Sequence, residues 1–214
     1  MSQYQTALAP ADKAAMVANR AKAFETIASK VTIQEDASAR WAKSAVVDRN
    51  DLRTAVKVLR DELEFDQLID VVGIDYLNYP GHRGPRFAVA YLFKSQKQSG
   101  LRFQLKVLVE EDDISVPSIH DFYAIADWAE REVFDQYGVI FTGHPNLKRL
   151  LNHFEFVGHP LRKDYPAQKR QWLSTNDPML DQLAQRLEHN GFQLLDPVPV
   201  NTPAVEDLIK GERT

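Results

Sequence analysis

Apolar positions along the 214-residue chain change their period several times. Between Pro10 and Lys30, Val17, Ala21, Phe24, Ala28 and Val31 recur at spacings of three and four, which predicts an amphipathic helix entering a core. Short strands are expected at Val31–Gln34 and Trp41–Val47. Asn50 or Asp51 then stands where a helix cap belongs, ahead of a seam of Leu52, Ala55, Val56, Leu59 and Leu63.

Beyond that seam the period becomes two. The run DQLIDVVGIDY (66–76) is rich in β-branched residues, and RFAVAYLFK (86–94) is more uniformly apolar, as a central strand would be. YPGHRGP lies between them as a loop. In LRFQLKVLVE, apolar Leu101, Phe103, Leu105, Val107 and Val109 alternate with mostly polar neighbours, and the preceding KSQKQSG supplies a hairpin connection. This order predicts an α+β fold, with a small, largely antiparallel sheet packed with helices over residues 1–117.

Downstream, Ser118 and Asp121 form an S-x-x-D capping signal, predicting a helix over 118–137 with Phe122, Ala126, Ala129, Val133 and Tyr137 on one face. Gly138 occupies the C-terminal cap position. From Val139 to Pro166 glycines and prolines argue against regular structure, yet apolar side chains continue, so the stretch needs a surface to lie against. The helix and this extended arm make up the segment 118–170. A last helix is expected from Asp177, with Leu180, Leu183, Ala184 and Leu187 in register, and a tail completes 171–214.

With no cysteine, the chain offers no disulfide, no thiolate nucleophile and no cysteine ligands for an iron–sulfur cluster. The apolar runs are too short to cross a bilayer, and the start of the sequence lacks a secretory pattern, so a cytoplasmic location is expected. A net charge of −4 gives no general attraction to nucleic acid. The local run Lys148, Arg149, Arg162, Lys163, Lys169 and Arg170 is offset by carboxylates in the same region, so no nucleic-acid role is expected.

The chemistry-bearing residues concentrate near the helix end. Asp127, Arg131 and Asp135 are each four residues apart, so the arginine can bridge both carboxylates on one stripe, beside a second stripe of Trp128 and Glu132. Gly-His-Pro then occurs twice, around His144 and His159. A metal site using these histidines with Glu130, Glu132 or Asp135 lacks the H-E-x-x-H spacing. The plainer reading is that each imidazole bonds backbone within a tight turn. His82, His120, His153 and His189 fit surface or turn positions. No nucleophile elbow, phosphate loop or dinucleotide fingerprint is present, and no residue is assigned a catalytic role.

The string A-x-W-x-E-R-E-V-F-D-x-Y-G-V-x-F-x-G-H-P-x-L-x-R-x-L from Ala126 to Leu151, followed by GHPLRKDYP (158–166), resembles the 30 kDa (C-type) subunit family of NADH:quinone oxidoreductases. A looser likeness, including VGIDY at 72–76, extends it over roughly 40–166. Gln136 departs from the pattern, standing where a hydrophobic residue is usual.

The resemblance implies a peripheral-arm subunit of bacterial respiratory complex I that carries no flavin and no cluster. FMN, iron–sulfur clusters and quinone would belong to other subunits. It implies docking against the larger quinone-site subunit (49 kDa type) on the cytoplasmic side of the inner membrane, with membrane contact only through the assembly. Glu130, Arg131, Glu132, Asp135, His144, Arg149, His159, Arg162, Lys163, Asp164 and Tyr165 are the expected interface or arm-anchoring residues. The equivalent subunit of a related membrane-bound hydrogenase or formate-oxidising complex is the nearest alternative.

Overall fold

The computed structural model describes residues 10–36, 43–98, 100–168 and 177–191, and the chain divides into two compact units, 1–169 and 170–214. The second unit contains the expected last helix, α4 (Asp177–His189). All else described below lies in the first.

Helix α1 (Pro10–Ala28) forms where periodicity placed it, with Phe24 and Val31 of the expected stripe in the core but Val17, Ala21 and Ala28 outside it. Ala23 and Ile27 are buried, followed by Val31, with Met16 and Phe24 packed against them, while Val17 is 64% exposed. The helix is so rich in alanine that two stripes overlap, and hydropathy cannot choose between them. Short β1 (Ile33–Glu35) runs antiparallel to β2 (Lys43–Val47). Next, α2 (Leu52–Asp61) buries Leu52, Ala55, Val56, Val58 and Leu59, with Leu63 just beyond it. Asp51 sits at its N-cap without a side-chain bond, because the loop is closed instead by Asp48 Oδ1, which accepts from the Asn50 backbone and amide.

Strands β3 (Gln67–Asp75), β4 (Phe87–Ser95) and β5 (Leu101–Val109) form the expected antiparallel meander. The five-stranded sheet has the order β1-β2-β5-β4-β3, and β2 pairs with β5 in parallel, Ala45 opposite Leu105 and Val47 opposite Val107. The sheet is therefore mixed. After β2 the chain passes through α2 to the far edge of the sheet, and the meander brings β5 back running in the same direction as β2.

Alternation assigns Phe87, Val89, Tyr91 and Phe93 of β4, with Leu101 through Val109 at every second position of β5, to one face. All are essentially fully buried, and they share a core with the apolar faces of the helices. Each large side chain removed from water contributes about 1.5–3 kcal/mol, so this layer dominates the stability.

Residues 118–125 are turns, with the N–H groups of Phe122 and Tyr123 directed at Ile119 O, and α3 spans only Ala126–Tyr137. The capping signal fails because Ser118 and Asp121 have other partners: Ser118 bonds Glu130, and Asp121 pairs with Arg53 of α2 at 2.6 Å. Within the stretch expected to be irregular, β7 (Ile140–Thr142) pairs in parallel with β6 (Ser115–Pro117), Val116 opposite Phe141.

Candidate functional site

Helix α3 ends at Gly138, whose φ of 79° is the left-handed conformation that glycine adopts without strain; its N–H bonds Phe134 O at 2.9 Å. A side chain there would also collide with the arm, since a Cβ would lie 2.5 Å from Arg162 Nη2 and 2.6 Å from His159 Nε2.

Two of the four acidic residues of α3 are withdrawn from solvent. Glu130 and Asp135 are both 0% exposed. Asp135 accepts the backbone N–H groups of Leu150 (3.1 Å), Leu151 (2.8 Å) and Asn152 (2.8 Å) on Oδ2, and the Asn152 amide (3.0 Å) and Arg149 guanidinium (2.7 Å) on Oδ1. Burial by itself would raise its carboxyl. The convergent donors of Asn152, Arg149 and Leu151 outweigh that and hold it down at about 2. One carboxylate thus fixes an entire turn of the arm.

Arg131 does not bridge Asp127 and Asp135 as their spacing predicts. Its guanidinium donates to Lys148 O (3.2 Å) and Arg149 O (3.3 Å) and lies over the Trp128 ring. The i, i+4 rule presumes a free helix surface. Here the arm covers that surface, and its unpaired carbonyls compete for the guanidinium.

Both Gly-His-Pro histidines bond backbone carbonyls of α3. Asn146 N–H donates to His144 Nδ1 (3.1 Å), which leaves Nε2–H to donate to Asp127 O at 3.0 Å, near Asp127 Oδ1 at 3.2 Å. His159 Nδ1 meets Asp135 O at 3.0 Å, and burial, with Arg162 and Arg149 nearby, lowers its imidazole from the ordinary histidine range although the Asp135 carbonyl opposes this. The two imidazoles thus grip carbonyls two helical turns apart. Among the described residues no group of three His, Cys, Asp or Glu side chains could hold an ion.

The R-K-D-Y stretch returns to the sheet. Arg162 Nε donates to Tyr137 O (2.6 Å), with its guanidinium over the Phe87 ring. Lys163 N–H donates to Asp75 Oδ2 (2.9 Å), and Asp164 pairs with Arg86 (2.9 Å), which also holds Asp75 (3.1 Å) and Glu111. Arg149 donates to Gly158 O (3.0 Å), and Tyr165 stacks on Phe156.

Of the residues named from the sequence, Glu130, Arg131, Asp135, His144, Arg149, His159, Arg162, Lys163, Asp164 and Tyr165 are thus engaged within the chain itself, whereas Glu132 is exposed. The anchors that sequence reasoning missed are Gly73, Asp75, Arg86, Tyr137 and Asn152. Gly73 and Asp75 lie inside the VGIDY segment, where only the glycine and the acid among β-branched residues hinted at a special role.

The arm presents four of its apolar side chains outward: Leu151, Phe154, Val157 and Leu161 are all more than half exposed, Phe154 by 75%. On α3, Trp128 is also exposed. No helix in the described residues is long and apolar enough to cross a membrane.

Fold and site together define a small α+β domain whose C-terminal arm is fastened to a buried acidic helix and turns an apolar strip outward. The family model for the respiratory-chain NADH dehydrogenase 30 kDa subunit matches residues 45–171, and the chain belongs to that family. Relatives include the C-type NADH-quinone oxidoreductase subunit of Laribacter hongkongensis (42% identical over 137 residues, 58% of this chain and 70% of that protein). Those of Legionella pneumophila strain Paris (42% over 133 residues, 50% and 58%) and Burkholderia mallei strain SAVP1 (44% over 127 residues, 57% and 63%) are similar too. The chain spans less than two thirds of the length of the latter two.

Among solved structures, a trypsin-resistant fragment (1–134) of Nqo5 is 32% identical with a TM-score of 0.55, covering 60% of this chain and 99% of the fragment. A chain of an archaeal membrane-bound sulfane sulfur reductase, 18% identical with a TM-score of 0.56 over 84% of this chain and 94% of its own, shares the fold.

Proposed function

We propose that this chain is the 30 kDa (C-type) member of a bacterial respiratory NADH:quinone oxidoreductase, with a structural rather than catalytic role. The observation that carries this reading is the coincidence of the family match with the fastened arm. The matched region, 45–171, contains the whole network that pins the arm while leaving Leu151, Phe154, Val157 and Leu161 outward.

Fastening an irregular segment before association lowers the entropy lost on docking. Aromatic and aliphatic side chains held outward on it suit the centre of a protein interface. The partner in this reading is the larger quinone-site subunit (49 kDa type), on the cytoplasmic side of the inner membrane. Electrons would pass from NADH to quinone through flavin and clusters in other subunits, coupled to proton translocation, while this chain holds the peripheral arm together. Its cysteine-free sequence supports a cluster-free role.

The test is purification of the assembly through a tag on this chain, with the co-purifying subunits identified. Recovery of the native chain alone would sink the reading. Phe154→Ser, which alters only the outward strip, is expected to lose co-purification while the isolated chain stays folded.

A further inference from the structure

Among the described residues, Glu130 differs from the other buried acids, Asp75 and Asp135, in its partners. Asp135 and Asp75 each bond an arginine, whereas Glu130 is held by neutral donors: Ser118 Oγ–H on Oε2 at 2.5 Å and Ile119 N–H on Oε1 at 2.8 Å. Ser118 has one hydroxyl proton, and it is directed at Glu130. Its oxygen can therefore only accept from the partly exposed His120, whose Nδ1 lies at 3.1 Å and whose backbone N–H lies at 3.3 Å.

We propose that His120, Ser118 and Glu130 form a proton-exchange chain that connects the buried carboxyl group to solvent and makes the turn joining β6 to α3 respond to pH. The inference stands independently of the assembly reading. Solvent delivers a proton to His120 Nε2. Nδ1 then passes its proton to Ser118 Oγ as the serine passes its own to Glu130 Oε2. The step leaves a neutral imidazole protonated on Nε2, an intact hydroxyl and a neutral carboxyl, with each hydrogen bond of the chain reversed.

The surroundings favour such exchange in the neutral range. Burial raises the Glu130 carboxyl, the bonds from Ile119 and Ser118 oppose that, and Asp127 and Asp121 raise it further, leaving it at about 7. On the strand side, the fully buried Tyr91 of β4 also feels its charge. From α2, Arg53 contributes a favourable field only, because its guanidinium bonds Asp121 (2.9 and 2.6 Å) and Ser118 O (2.5 Å). The His144 ring lies 5.9 Å from that of His120 but is committed to Asp127. Protonation weakens the acceptor of Ile119 N–H, and so loosens the turn whose Ser118 N–H continues to Thr142 O beside the β6–β7 pair.

The test is an amide NMR titration of the full chain from pH 5 to 9. The Ile119 amide is expected to shift with a midpoint near 7, and in Glu130→Gln that transition disappears while the remaining amides keep their positions. His120→Phe removes the donor that supports the ionised form, moving the midpoint up by about half a unit. If Glu130→Gln does not fold, the carboxyl carbon of Glu130 in the native chain reports the same midpoint directly. An Ile119 amide that is silent across the range, that still titrates in Glu130→Gln, or whose midpoint is unmoved in His120→Phe overturns the proposal.

Discussion

Gly73 and Tyr137 meet face to face: a methyl group on the Gly73 α-carbon would lie 2.4 Å from Tyr137 Cδ2, so the last turn of α3 sits directly on the backbone of β3. Gly73→Ala must push the ring, and with it the Arg162 attachment at Tyr137 O, off the sheet. The expected cost is about 1–3 kcal/mol, measured by urea unfolding. Pairing it with Tyr137→Leu should recover part of the loss.

Removing the charge that organises the arm should act locally. Asp135→Ala leaves Arg149 and the N–H groups of Leu150, Leu151 and Asn152 without their acceptor. A loss of about 3–5 kcal/mol is expected, as for breaking other buried ion pairs. Limited trypsin digestion should cut at Lys148 or Arg149 in the variant well before the native chain is touched.

Arg86 ties together Asp75, Asp164 and Glu111, and the exposure of these partners separates two outcomes. Arg86→Met strands the fully buried Asp75 carboxylate, so a loss of about 3 kcal/mol is expected in thermal or urea unfolding. Asp164→Asn removes a half-exposed partner and should cost no more than about 1 kcal/mol.

The pH dependence of stability should have two limbs of opposite sign. Asp135, held at about 2 against an ordinary 3.8, binds fewer protons folded than unfolded, so its contribution is present above 3.8 and is lost as pH falls toward 2. Asp75, also lowered, acts in the same sense. Glu130, raised from 4.5 to about 7, binds more protons folded than unfolded, so it makes stability fall as pH rises between those values. Urea midpoints from pH 2 to 8 should rise and then decline, with Asp135→Asn flattening the acid limb and Glu130→Gln the neutral one.

Sequence pattern revealed the meander because β3, β4 and β5 are neighbours in the chain and their alternation has one consistent phase. The parallel partnership of β2 with β5 left no local trace, since nothing in Lys43–Val47 encodes which distant strand lies beside it. The motif residues were legible as a cluster, but their partners were not. Asp127, Arg131 and Asp135 have the spacing of a surface ion-pair ladder, and only the arm lying over α3 sends Arg131 to carbonyls and Asp135 to backbone N–H groups. Ser118 and Asp121 mimicked a cap for a similar reason. Both are polar residues ahead of an apolar run, yet one serves a buried acid and the other an arginine of α2.

The crossover that seats β2 beside β5 also sets an order of events as the chain is made. Val47 cannot meet Val107 until 60 further residues have emerged, so the N-terminal third must wait, with one side of β2 unpaired, while the meander assembles from local contacts. Closing that long loop comes late, and a chain released from the ribosome before residue 101 would hold β2 paired with β1 on one side only, its other edge open.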